Sequence, residues 1–185
     1  MKNILIGVTG SVAAIKTIEL ATQLSDFANI KIVTTKYGYY FIEPELKFFE
    51  ENSIEILHDK DEWPELSANY DISKPILHIE MRRWADLLLL APLDANSLAK
   101  ISHGFCDNLL TSIVRAWDWQ KPLIACPAMN TFMWENKPTQ QHIDTIKQWG
   151  AHIINPIKKK LACNDIGMGA MEEITNITKI VKSTL

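Results

Sequence analysis

Apolar residues along this chain fall into short runs that alternate with longer stretches of helical period. Ile4-Leu5-Ile6-Gly7-Val8 and Ile30-Lys31-Ile32-Val33-Thr34 read as strands. Leu87-Leu88-Leu89-Leu90-Ala91 and Leu123-Ile124-Ala125-Cys126 read as strands buried on both faces, and 54–57 and 153–154 as shorter ones. Between them the spacing predicts helices over 11–24, after Gly38, and over 77–84, 97–101, 107–117, 139–149 and 174–185. Such alternation implies a parallel sheet covered on both faces through right-handed crossovers. The expected fold is therefore α/β, a single-domain Rossmann or flavodoxin-like parallel sheet with helices on both faces, spanning 1–185. Residues 58–76 break the pattern: Asp59, Asp61, Pro64, Asn69, Asp71, Ser73 and Pro75 give them turn composition. They predict a long loop, a feature that in a compact domain is usually functional.

Composition narrows the partners. With 47% hydrophobic and 22% charged residues, a formal charge of -3 and a pI near 5.9, the chain has no general attraction for nucleic acid or an anionic membrane. An anionic ligand must be held locally. The N-terminus runs straight into a strand and no apolar run approaches the roughly 20 residues of a membrane span, so the chain reads as cytoplasmic. Cys106, Cys126 and Cys163 form no C-x-x-C, so neither a disulfide framework nor a metal cluster is expected. Cys106 and Cys126 read as buried thiols in apolar surroundings.

In a sheet of this kind ligands bind beyond the carboxyl ends of the strands, so the loops there carry function. Gly10-Ser11-Val12 after the first strand offers close backbone approach, a hydroxyl and the free N–H groups of a helix N-terminus, which suits an anion such as phosphate. The complete G-x-G-x-x-G is missing, which argues for one terminal phosphate over a dinucleotide pyrophosphate. Ser11 alone would also serve as an ordinary N-cap. Thr35 and Lys36 follow the second strand, with Lys36 equally readable as a solvated surface charge. Asp94-Ala95-Asn96-Ser97 carries more polar side chains than one helix cap requires and supplies donors and acceptors for the edge of a flat heteroaromatic ring. Pro127-Ala128-Met129-Asn130-Thr131-Phe132-Met133-Trp134 follows the last long strand. There Asn130 offers an NH2 to a carboxylate and an oxygen to an amide N–H, while Met133 and Trp134, taken singly, read as core packing. His78 and Arg82 share a helix face at i and i+4, so that a titratable base and a fixed cation meet one substrate; a structural histidine is the alternative. Lys158-Lys159-Lys160 precede Cys163, whose thiolate they would favour, and Gly167 and Gly169 suggest a mobile lid.

Together these segments resemble the flavin-containing cysteine decarboxylases, most closely the phosphopantothenoylcysteine decarboxylases. The resemblance rests on G-S-V-A-A at 10–14, H-I-E-M-R-R-W-A-D at 78–86, A-P-L-D-A-N at 91–96, G-F-C-D-N-L-L-T at 104–111, R-A-W-D at 115–118, P-A-M-N-T-F-M-W at 127–134 and K-K-K-L-A-C at 158–163. It implies FMN contacts at Gly10, Ser11, Val12, Thr35, Lys36, Phe41, Asp94, Ala95, Asn96, Ser97 and Ala128. It implies substrate contacts at Asn130, Lys160, Ala162 and Met171, and His78 with Cys163 as the catalytic pair. Where the family often has Gly-Asp after the cysteine, this chain has Asn164-Asp165. The implied reaction turns 4'-phosphopantothenoylcysteine into 4'-phosphopantetheine in coenzyme A biosynthesis. An N-acyl cysteine carboxylate lacks an electron sink, which FMN supplies by oxidising CH2–SH to a thioaldehyde; CO2 then leaves to give an enethiolate, which reduced FMN returns to the saturated product. The resemblance further implies a homotrimer of a stand-alone lyase, with flavin at the subunit interface. Alternatives are decarboxylation of a peptide's C-terminal cysteine, flavin prenyl transfer, and a non-catalytic phosphatase-regulatory role; the last usually comes with long acidic extensions, which this sequence does not contain.

Overall fold

A computed structural model describes residues 1–64, 75–162 and 166–185. Six parallel strands form the central sheet: β1 (Lys2–Val8), β2 (Ala28–Thr34), β3 (Glu55–Leu57), β4 (Leu87–Leu93), β5 (Leu123–Pro127) and β6 (His152–Ile153). Their spatial order is β3-β2-β1-β4-β5-β6. This is the Rossmann order, not the flavodoxin one, and it reverses between β1 and β4. Every residue of β4 and β5 is buried, as their unbroken apolar runs require of strands covered on both faces.

The crossovers are α1 (Thr17–Ser25), preceded by a 3-10 turn over Val12–Lys16, then α2 (Lys36–Ile42), α3 (Leu46–Glu51), α4 (Asp59–Glu62), α5 (Leu77–Trp84), α6 (Ala95–Ser102) and α7 (Leu109–Arg115). After β5 come α8 (Thr131–Trp134) and α9 (Lys137–Gln148), and the chain closes with α10 (Ile174–Thr184). One core lies between the sheet and α1, α3 and α10, around Ile4, Ile6, Leu20, Ile32, Phe49 and Ile177. The second lies on the opposite face, around Leu88, Leu90, Leu98, Leu110, Ile113 and Ile143.

Two features depart from the sequence reading. The segment 58–76 is not loop throughout: Asp59–Glu62 forms α4, and 65–74 lie outside the described residues. Beyond the sheet, β7 (Ile157–Lys160) and β8 (Ile166–Ala170) pair antiparallel as a separate hairpin. Its lysines and glycines alternate too little with apolar residues to announce a strand, because most of β7 faces solvent.

At the point where the strand order reverses, Thr9 ties the first two ligand loops together. It is fully buried, its Oγ1 donates to the Pro92 carbonyl (2.8 Å) and accepts from the Asp94 N–H (2.7 Å), and its own N–H reaches Pro92 O at 3.2 Å. Thr9→Val keeps the shape and removes both hydroxyl bonds, leaving the half-buried Asp94 N–H without its partner. Denaturant unfolding should show a loss of about 1–3 kcal/mol; a variant as stable as the parent would mean that the hydroxyl does not bridge the loops.

Candidate active site

A cleft of about 540 Å³ opens at the carboxyl edge of the sheet, beside the reversal between β1 and β4, a volume ordinary for a cofactor site. Its floor is Gly10, Ser11 and Val12 after β1, Asp94, Ala95 and Asn96 after β4, and Ala128, Met129 and Asn130 after β5. Lys159, Lys160, Leu161 and Ala162 with Gly169 and Met171, from the β7–β8 hairpin and its flanks, form the remaining wall. Three loops predicted from separate stretches of sequence thus converge on one space.

Local chemistry explains each wall. Ser11 is the N-cap of the 3-10 turn: its Oγ accepts from the Ala13 N–H at 3.4 Å and its carbonyl from the Ala14 N–H at 2.9 Å, which sets the start of the turn at the cleft. A Cβ on Gly10 would lie 2.8 Å from Tyr37 Cβ and 3.1 Å from Asp94 Oδ2, so only glycine lets these loops meet. Asp94 caps α6, its Oδ1 accepting from the Ser97 N–H at 2.8 Å. Asn130 caps α8: the Met133 N–H donates to Oδ1 at 2.9 Å. This bond fixes the amide, since an N–H can face only the oxygen. The double role expected of Asn130 narrows accordingly: the oxygen holds the helix, and the NH2 is the half left for a carboxylate.

The cleft's cations are partly shared. Lys159 Nζ lies 2.8 Å and Lys16 Nζ 3.5 Å from the Glu173 carboxylate, whose pKa the hydrogen bond to Lys159 lowers first and the charge of Lys16 next. Lys160 adds a third ammonium to the wall. A site with a serine-capped turn and lysines at its ends, small and apolar residues between, and an Asp-Ala-Asn edge fits a flat ring with one terminal phosphate.

Several expected contacts stand elsewhere. Thr35 spends its hydroxyl capping α2 by accepting from the Gly38 N–H (3.1 Å), and Lys36 is exposed, with its ammonium 5.9 Å from the Tyr37 ring. Phe41 packs against the first core, and Ser97 is buried beneath the α6 cap. None of the four lines the cleft. His78 does not line it either; its Nδ1 is 2.7 Å from Glu62 Oε1. Arg82 does not join His78 at a ligand: its Nε donates to the Ala116 carbonyl (3.1 Å) and its guanidinium pairs with Asp118 (3.4 Å), so it anchors α5. Cys163 lies outside the described residues.

Other readings change with burial. Met133, expected in the core, is half exposed on the cleft wall, whereas Trp134 packs against the second core. Cys106 is exposed, not buried; Cys126 is buried, and burial pushes its thiol far above the usual range, which removes it from chemistry. Lys16, Met129 and Leu161 were not anticipated at the site. Lys16 had a signal, one turn beyond the Ser11 cap, but Leu161 depends on the hairpin.

Gly169 has φ +137°, and its carbonyl accepts from the Met129 N–H at 2.9 Å, while a Cβ there would run into the Met129 carbonyl. This glycine is needed for close approach of the hairpin to the Asn130 loop, which replaces the expectation of a hinge. Gly169→Ala should cost on the order of 1–3 kcal/mol, read by thermal unfolding; an unchanged midpoint would contradict the close packing.

The chain matches the model of the Flavoprotein family over residues 1–185. It is 48% identical over 180 residues to a probable phosphopantothenoylcysteine decarboxylase of Arabidopsis thaliana, covering 97% of this chain and 86% of the relative. To the phosphopantothenoylcysteine decarboxylase of Mus musculus it is 45% identical over 184 residues, with 98% and 86% covered. Among solved structures, a cysteine-to-serine mutant of a PPC decarboxylase complexed with pantothenoylaminoethenethiol superposes with a TM-score of 0.91 at 44% identity, covering 98% of this chain and 97% of the other. The FMN binding protein AtHal3 superposes with a TM-score of 0.87 at 45% identity, over 98% and 95% of the two chains. This chain belongs to the flavoprotein family and, within it, to the phosphopantothenoylcysteine decarboxylases.

Proposed function

We propose that this protein is an FMN-dependent lyase that decarboxylates 4'-phosphopantothenoylcysteine to 4'-phosphopantetheine. The observation that carries the reading is the cleft itself, which puts the start of the Ser11 turn, the polar Asp94-Ala95-Asn96 edge and the NH2 of Asn130 in one space beside a cluster of lysines. FMN would be held by Gly10, Ser11, Val12, Asp94, Ala95, Asn96 and Ala128. Bound there, it supplies the two-electron oxidation of the substrate's CH2–SH that gives the departing carboxylate's electrons a place to go, and it returns those electrons afterwards.

The chain's own residues do the rest. Asn130 orients the carboxylate, Ala162 and Met171 line the substrate's path, and Lys160 neutralises its phosphate. His78 takes the early proton, and Cys163, on the strength of its sequence context, returns the last one. Since His78 stands away from the cleft of its own chain, the site is completed by a neighbouring subunit in a homotrimer. Exposed Val12, Ile15, Tyr37, Met133 and Phe132 supply the apolar surface such contacts need. Cytoplasmic location goes with this role; no helix among the described residues is long and apolar enough to cross a membrane.

Two experiments test the reading. Lys160→Ala should raise KM for the phosphorylated substrate about 10–100-fold, the loss of a hydrogen bond to a charged group worth roughly 1.5–3 kcal/mol, and leave turnover of a peptide with C-terminal cysteine as low as before. Preference for the peptide in the parent enzyme would assign the protein to the other decarboxylase class. Mixed assemblies of Asn130→Ala and His78→Gln subunits should recover activity that neither variant has alone. Failure to recover it would place the two residues in one subunit's site.

A further inference from the structure

The acidic stretch Asp59-Lys60-Asp61-Glu62, which the reaction has not so far used, forms a single helical turn with three separate attachments. Asp61 Oδ2 accepts from the His58 N–H at 2.8 Å and closes the turn on itself. Asp59 Oδ1 accepts from the Leu109 N–H, also at 2.8 Å, and so ties α4 to the first turn of α7. Glu62 reaches the start of α5: Oε1 is 2.7 Å from His78 Nδ1, and Oε2 accepts from the His78 backbone N–H at 2.9 Å. The Glu62 side chain is only 8% exposed, against 26% for His78. Both carboxylate oxygens are thus committed to one residue.

We infer that Glu62 is the positioning residue of His78: it fixes the imidazole as the Nδ1–H tautomer and leaves Nε2 as the one nitrogen able to exchange a proton with substrate. The inference rests on the role proposed for His78 above. A carboxylate only accepts, so the ring nitrogen facing it must carry hydrogen. In the neutral ring Nε2 is then the base, and once Nε2 has taken a proton the nearby carboxylate stabilises the imidazolium without itself being protonated. The backbone bond adds orientation. α5 has no side-chain cap of its own at Ile76, and Glu62 serves one of its orphan N–H groups from outside the helix. At the other end of α5, Lys121 Nζ donates to the carbonyls of Arg82 (3.2 Å), Arg83 (3.3 Å) and Ala85 (2.7 Å). The helix that carries His78 is held at both ends.

A purely structural cap and a tautomer control predict different things for E62Q. The introduced amide keeps its oxygen on the backbone N–H, which can only donate, and so turns its NH2 toward Nδ1. Nδ1 must then be the acceptor and the proton moves to Nε2, where it blocks the base. In the full-length protein with FMN bound and 15N-labelled histidine, with the His78 signals assigned by comparison with H78Q, long-range 1H–15N spectra should show Nδ1–H in the parent and Nε2–H in E62Q. Decarboxylation by E62Q should fall by about 10²–10⁴ in kcat, the usual contribution of a positioned general base, with KM and flavin absorbance unchanged. An Nε2–H tautomer in the parent overturns the inference without any variant, and so does E62Q with parental kcat and tautomer. Should H78Q remain fully active, the role of His78 in the reaction fails, while the spectra still decide whether Glu62 sets the ring.

Discussion

Thr9 is where the fold becomes a site. The reversal of strand order between β1 and β4 opens a crevice in any sheet of this type, but a crevice has two lips, and they must be held at one spacing to be useful. Here one buried hydroxyl accepts from the first residue after β4 and donates to a carbonyl within that strand. Asp94 is thereby placed to cap α6, and Gly10 to pass close beside it. The apolar strands beneath supply a packed base for these short bonds, since every residue of β4 is buried.

The second requirement is that polar residues outside the cleft hold its partners in orientation. Arg82, Asp118 and Lys121 lie outside the cleft lining; they fasten the carboxyl end of α5, Lys121 by donating to three carbonyls that the helix leaves unsatisfied. Asp59 and Glu62 fasten its beginning through α4. The segments that make the sequence so recognisable around 78–86 and 115–118 are explained by this frame as much as by chemistry. His78 ends up on a fixed helix with Nδ1 held against Glu62, outside the lining of the cleft.

Much of this was legible in the sequence because the parallel sheet is built from unambiguous apolar runs, and because ligand loops in such a sheet fall at predictable places. Gly10, Ser11, Asp94, Asn96 and Asn130 were found that way, and they do converge. What escaped depended on pairing at a distance. Arg82 shares a helix face with His78, which suggested a common ligand, but its guanidinium reaches across to Ala116 and Asp118, contacts no local spacing encodes. The β7–β8 hairpin was hidden by its exposed lysines, and with it the reason for Gly169, which sits where the hairpin's backbone meets the Met129 carbonyl. Thr35 and Ser97 lie outside the cleft lining, the one with its hydroxyl capping α2 and the other with its N–H bonded to Asp94, roles that polar residues beside strand ends commonly take.

The central claim is that this cleft, loaded with FMN, removes the carboxylate of phosphopantothenoylcysteine. It is tested most directly by incubating the purified flavin-loaded protein anaerobically with that substrate, following the flavin spectrum and the mass of the product. A product lighter by one CO2 is expected at many turnovers per flavin, with the flavin oxidised at the end as at the start. Unchanged substrate, or a protein that will not take up FMN, would contradict it.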